Sequence, residues 1–239
     1  VGQSVESWLL PLGAGTGSMG RWLAPLLPGP QHWILHDRDA DLLDRAGAGL
    51  VTAAADGAPV TVATHRCDLT RLTAADLADA TLVTASALLD MLTAAEVERI
   101  VAACAGAGCP TLLTISVIGR VRLTPPDPLD AVVEAAFNAH QRRTVAGRGL
   151  LGPDAVAACV QAFGRRGVDV LVRPSPWRLG PGQADLIAEW FTGWVGAAVE
   201  QRPGLAGPLA GYTEYRVAAA RSGRLTVVVE HRDLLAGHA

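Results

Sequence analysis

The stretch LPLGAGTGSMG, residues 10–20, decides the fold: four glycines, Gly13, Gly15, Gly17 and Gly20, stand directly behind the apolar run Trp8-Leu9-Leu10. A strand that turns sharply into a helix through such a segment turns backbone N–H groups and the positive helix end toward a ligand. Glycine is needed there because a Cβ would collide with the ligand or with the positive φ of the turn. Glycine-rich turns also arise for structural reasons alone. The residues at a distance therefore have to carry the reading.

Working outward, Asp37 lies twenty residues after Gly17, at the end of the apolar segment WILHD. A carboxylate at that place can accept hydrogen bonds from both hydroxyls of a ribose. Asp68, in HRCDLTRL, lies just past the next strand-like segment, where it could accept from an adenine amino group. The fourth such segment ends in TASALLD, so small residues line the opening above it. Together these features mark a nucleoside-shaped site along the carboxyl edges of strands one to four of an open α/β sheet.

The rest of the chain fits that sheet. Apolar runs alternate with helical periods, the pattern of strands joined by crossover helices. Strands are expected at about 7–12, 32–36, 60–65, 80–85, 111–117, 168–173 and 225–231. Helices are expected at 20–27 and 39–48, then after Thr93, which can form a capping box with Glu96. Asp154 reads as the cap of 155–163. Two segments are longer than simple crossovers. Residues 119–152 hold TPPDP and a helical stretch at 129–143; residues 182–224 hold ADLIAEWFTGWVGAAVE and a second helical piece at 209–220. Long insertions after the later strands build substrate pockets in such sheets, although the pair Trp190 and Trp194 also reads as core packing or, if exposed, as a dimer face. The expectation is a single domain over 1–239, with the insertions at 119–152 and 182–224 shaping an acceptor pocket.

Composition narrows the chemistry. All twenty basic residues are Arg, so reactions that need a lysine are excluded, among them Schiff-base formation and the Walker phosphate grip. A net charge of −3 argues against a broad nucleic-acid surface. No apolar run reaches the ~20 residues of a membrane span, and no basic-then-apolar leader is present. A soluble cytoplasmic chain is the expectation. Cys104 and Cys109 are spaced C-x4-C with no second pair at zinc spacing, so no metal is expected and the four cysteines read as reduced thiols.

Two nucleoside cofactors compete. Gly15-x-Gly17-x-x-Gly20 matches the dinucleotide fingerprint and Asp37 follows Gly20 by seventeen residues, so spacing alone allows NAD. Against it, Gly13-Ala14 already interrupts the strand, and no lysine serves the commonest dehydrogenase proton relay.

The alternative is a resemblance. LPLGAGTGSMGRWLAPLL, LHDRDADLLDRA, RCDLTRL and TLVTASALLDML resemble, in order and spacing, the successive motifs of class I S-adenosylmethionine-dependent methyltransferases. The likeness is specific over about 8–117 and topological over 168–231. It implies a Rossmann-like, mostly parallel seven-stranded sheet with an antiparallel last strand and helices on both faces. It further implies S-adenosylmethionine as cofactor, with Gly13, Ala14, Gly15 and Gly17 against its methionine moiety and ribose. Asp37, with Arg38 beside it, would bind the ribose; Cys67, Asp68 and Leu69 would flank the adenine, and Ser86 would lie at the methionine end. Pro11 departs from the pattern, since the family usually has an acid two places before the first glycine. The few residues ahead of the first strand are a second departure, where the family often has a covering helix.

For chemistry, methyl transfer needs an acceptor held in line and a base only where the acceptor must lose a proton. His140, in FNAHQRR, and Asp90 are the candidates; His36, His65 and His231 read as structural. Arg120, Arg122, Arg142, Arg143 and Arg148 would suit an anionic acceptor if two or more turned inward. No Asn/Asp-Pro-Pro-Tyr motif follows the fourth strand, which with the charge points to a small-molecule acceptor, methylated on oxygen. A non-catalytic partner subunit or sensor that keeps the nucleoside pocket is the rival reading.

Overall fold

The computed structural model describes residues 6–237. Five parallel strands come first: β1 Ser7–Leu12, β2 Gln31–Asp37, β3 Val60–Arg66, β4 Leu82–Ser86 and β5 Thr111–Thr124. Two short strands, β6 Thr144–Val145 and β7 Arg148–Gly149, form a separate hairpin. β8 Val170–Pro174, β9 Trp177–Leu179 and β10 Thr226–Ala236 complete the main sheet, in the order β3-β2-β1-β4-β5-β10-β8, with β9 also on β10. β10 pairs antiparallel with β5, β8 and β9, as expected of the last strand. The order reverses between β1 and β4, and the crevice outside their carboxyl ends is where open α/β sheets bind ligands.

Helices fill the crossovers: α1 Ser18–Leu23, α2 Ala40–Gly49, α3 Ala94–Ala107, α4 Pro128–Gln141, α5 Ala155–Gly164, α6 Ala184–Gln201 and α7 Ala206–Arg221. α1 stops earlier than the hydrophobic pattern predicts and continues as a 3-10 turn at Ala24–Leu26, because Pro25 has no N–H for the α-helical ladder. The predicted box at α3 forms: Glu96 N–H donates to Thr93 Oγ1 at 3.2 Å and Thr93 N–H to Glu96 Oε2 at 2.8 Å. Asp154 does not cap α5. Its own backbone is already helical, whereas a cap needs an extended residue, and its carboxylate instead takes the Arg142 guanidinium at 2.5 and 2.8 Å.

Strands β5 and β10 run well past their predicted ends. They pair with each other from Thr111–Ala236 to Thr124–Thr226, extending beyond β4 as an arm on which β9 also pairs with β10. On that arm α4, α6 and α7 build a second core from Leu123, Val133, Ile187, Phe191, Leu209 and Val227. The two insertions thus pack on one another. At their junction Arg216, fully buried, meets both oxygens of Asp130 at 2.7 and 2.9 Å, and Tyr212 Oη donates to Asp130 Oδ1 at 2.5 Å.

Candidate active site

The glycine loop leaves β1 with Gly13, Gly15 and Gly17 all at positive φ, 63°, 53° and 81°. Only glycine holds such angles without strain. Two bonds tie the loop to β2: Ala14 N–H donates to the His36 carbonyl at 2.9 Å, and Gly15 N–H to Asp37 Oδ2 at 2.8 Å. Asp37 Oδ1 accepts from Asp39 N–H at 3.1 Å. The carboxylate is therefore fixed before any ligand arrives, with lone pairs on both oxygens to spare. These contacts also account for a loop that stands without an acid at position 11.

Two cavities open on the loop. The first, about 420 Å³, is lined by Gly13, Asp37, Arg38, Cys67, Asp68 and Leu69, with Leu88, Met91 and Arg148 on its far wall. The second, about 430 Å³, is lined by Gly13, Ala14, Gly15, Ser86 and Asp90, and then by residues of the later strands and helices. Gly13 and Ala87 belong to both walls, so the cavities adjoin at the end of β1. Gly17 lines neither. Its N–H closes a turn onto the Ala14 carbonyl at 2.8 Å, and a Cβ there would lie 3.1 Å from that of Ala46 in α2.

In the first cavity Asp68 is half engaged. Thr70 gives Oδ1 both its hydroxyl at 2.7 Å and its N–H at 3.0 Å, and these bonds hold the carboxyl below its ordinary range. Burial and the nearby carboxylates Asp68, Asp76 and Asp37 push the Cys67 thiol up. Arg148 leans across from the β6–β7 hairpin onto Glu96, bonded at 2.9 and 2.7 Å.

The second cavity has apolar walls: Ile115 and Val117 of β5, Phe137 of α4, Trp177 of β9, and Trp190 and Trp194 of α6, the last two stacked at 5.4 Å. Trp190 and Trp194 therefore line this cavity, with Trp194 buried. Asp90 lies on its wall, and burial raises its carboxyl pKa. His140 does not line it. That ring sits between α4 and α6 with Nε2 3.3 Å from Glu200 Oε2. The imidazole on the wall is His231, buried in β10 opposite Val117, its pKa lowered by that burial.

None of Arg120, Arg122, Arg142, Arg143 and Arg148 lines the second cavity. Arg122 pairs with Glu230 at 2.8 Å, Arg142 with Asp154, and Arg148 with Glu96. His231, at the predicted end of the last strand, reads in the sequence as structural. Its spacing of two from Val229 and four from Val227 is the signal, since that puts all three on one face of the strand.

No protein-family model matches the chain, and no curated protein matches it in sequence. Solved structures share its fold. A SAM-dependent methyltransferase from Methanosarcina mazei superposes with a TM-score of 0.52 at 10% identity, over 97% of this chain and 92% of that one. The YcgJ protein of Bacillus subtilis gives 0.51 at 11% identity, covering 98% and 92%. A cyclopropane synthase from Mycobacterium tuberculosis gives 0.51 at 13%, covering 99% and 80%. At these identities the likeness is one of fold: the Rossmann-like sheet with an antiparallel strand that class I methyltransferases have.

Proposed function

We propose that this chain is an S-adenosylmethionine-dependent methyltransferase that acts on the oxygen of a small, uncharged, largely apolar acceptor. The observation that carries the reading is the pair of cavities meeting at Gly13, one rimmed by the acids Asp37 and Asp68 and the other walled by aromatic rings. The residues present fit the cofactor, because the loop backbone is bare where a sulfonium and ribose would lie against it and a fixed carboxylate stands at the end of β2. When bound, that cofactor supplies an activated methyl group.

The chain's own residues have four tasks in this account. Asp37 accepts from the ribose hydroxyls, while Arg38, Cys67, Asp68 and Leu69 enclose the base. Gly13 stands where the cavities adjoin, and Ala14, Gly15 and Ser86 line the second cavity next to it, where the methionine end would lie. The walls of Phe137, Trp177, Trp190 and Trp194 exclude water and orient a flat acceptor. His231, its pKa lowered by burial, takes the proton of an acceptor hydroxyl as general base, the role first expected of His140. Asp90, on the same wall and with its pKa raised by burial, accepts a hydrogen bond from the acceptor in this account.

The absence of any arginine from the second cavity wall favours an uncharged acceptor over an anionic one. The space itself, about 430 Å³ not filled by the chain's own side chains, favours an enzyme over a non-catalytic subunit. Incubation with methyl-labelled S-adenosylmethionine and a panel of phenols, carboxylates, phosphates and amines tests both points. Label should enter phenols. Label confined to amines or anions overturns the acceptor class, and NAD binding without S-adenosylhomocysteine binding overturns the cofactor.

A further inference from the structure

At the open edge of the sheet, on β2 and β3, His36, His65 and Cys67 form a group, of which Cys67 also lines the first cavity. The parallel register puts His36 directly opposite His65. Cys67 follows two residues on, and its N–H bonds the Asp37 carbonyl at 2.9 Å, continuing the ladder. Strand alternation therefore sets all three side chains on one face. A ring nitrogen of each histidine and the Cys67 sulfur all lie within 4.8 Å of one another. The two rings meet edge to face at 5.1 Å.

We propose that His36, His65 and Cys67 form a binding site for a divalent transition-metal ion, zinc being the natural occupant, with solvent at the fourth position. Two imidazoles and a thiolate form a borderline-soft set that suits zinc and disfavours magnesium or calcium. Zinc bonds of about 2.0–2.3 Å bring tetrahedral ligand atoms to ~3.3–3.8 Å apart, so sub-ångström side-chain adjustments close the observed spacing. His36 Nδ1 already lies 2.9 Å from the Ile34 carbonyl. That bond places the ring proton on Nδ1 and leaves Nε2 as the donor, the outer-shell arrangement that orients metal-bound imidazoles.

Access and charge agree with this. His36 is buried, Cys67 is half-buried and His65 is exposed, so a fixed inner ligand is reached past an open outer one. Asp37, Asp68 and Asp76 surround Cys67 with negative charge, which a cation offsets. On binding, the thiol proton leaves to solvent as the sulfur–metal bond forms, so uptake releases one proton.

Cobalt(II) titration of the full chain, free of any polyhistidine tag and stripped with chelator, provides the test. Expected are saturation at one equivalent, tetrahedral d–d bands, a thiolate-to-cobalt charge-transfer band, and loss of all colour when zinc is added. Cys67→Ser should lose the charge-transfer band. His65→Ala, at an exposed position that keeps the fold intact, should weaken binding by at least about tenfold, whereas His32→Ala should not. No saturable binding overturns the site. So does an unchanged spectrum in Cys67→Ser, or affinity unmoved in a folded His65→Ala, either of which marks an adventitious ion only.

Discussion

Asp37 shows how much one residue can carry and how far it can be read from sequence. Its place at the end of an apolar run, twenty residues past Gly17, made it the candidate ribose ligand. What the spacing could not tell is that the same carboxylate also fastens the loop through Gly15 N–H. Local sequence pointed to His140 as base and to His231 as structural, whereas in the fold His140 sits beside Glu200 and His231 lines the second cavity. If His231 is the base, His231→Ala should lower kcat by about 10²–10⁴ while leaving S-adenosylhomocysteine affinity nearly unchanged. The acid limb of the wild-type kcat profile should fall below the ordinary histidine range, because burial lowers this pKa. Steady-state kinetics across pH check both outcomes. Glu96 supplies a second case. Hydrogen bonds from Arg148, reinforced by those of Thr93, hold its carboxyl at about 2 instead of 4.5. A folded pKa below the unfolded one stabilises fully above pH 4.5, and that stability is lost as pH falls toward 2. Urea unfolding at a series of pH values should therefore show a shallower acid slope for Arg148→Met than for wild type.

Among the elements, those set by local chemistry were the legible ones. The Thr93–Glu96 box forms as spelled, and Thr93→Ala should cost about 1 kcal/mol in thermal or urea unfolding. Asp154 was misread because the same letter also serves as an ion-pair partner, and Arg142 is distant in the sequence pattern of a cap. The lengths of β5 and β10 were illegible for a stronger reason. RVRLT at 120–124 is short and RDLLA at 232–236 does not alternate, and each becomes strand by pairing with a partner about a hundred residues or more away, 121–124 with 226–229 and 232–236 with 111–116. The junction of α4 with α7 depends on Arg216, buried against Asp130 and Tyr212, with a further bond to the Pro125 carbonyl at 2.6 Å. Arg216→Met would strand a buried carboxylate, so unfolding should weaken by about 3–5 kcal/mol. Replacing Arg216 and Asp130 together should recover part of that loss.

For the whole molecule, the half of the chain up to residue 117 followed from motif order, and the half beyond it followed only as topology. The mostly parallel sheet and the antiparallel β10 match the expectation. The joint core of the two insertions, and the aromatic wall it gives the second cavity, are tertiary facts that no local pattern encodes. Among the described residues no helix is long and apolar enough to cross a membrane. The central claim is that one cleft, divided at Gly13, holds an adenosyl group through Asp37. Calorimetric titration of S-adenosylhomocysteine into wild type and Asp37→Ala tests it most directly. The account predicts one site in the wild type, with affinity about ten- to a hundredfold weaker in the variant, the ~1.5–3 kcal/mol of hydrogen bonds to a charged group. Equal affinity in the two proteins, with the variant folded, would contradict it.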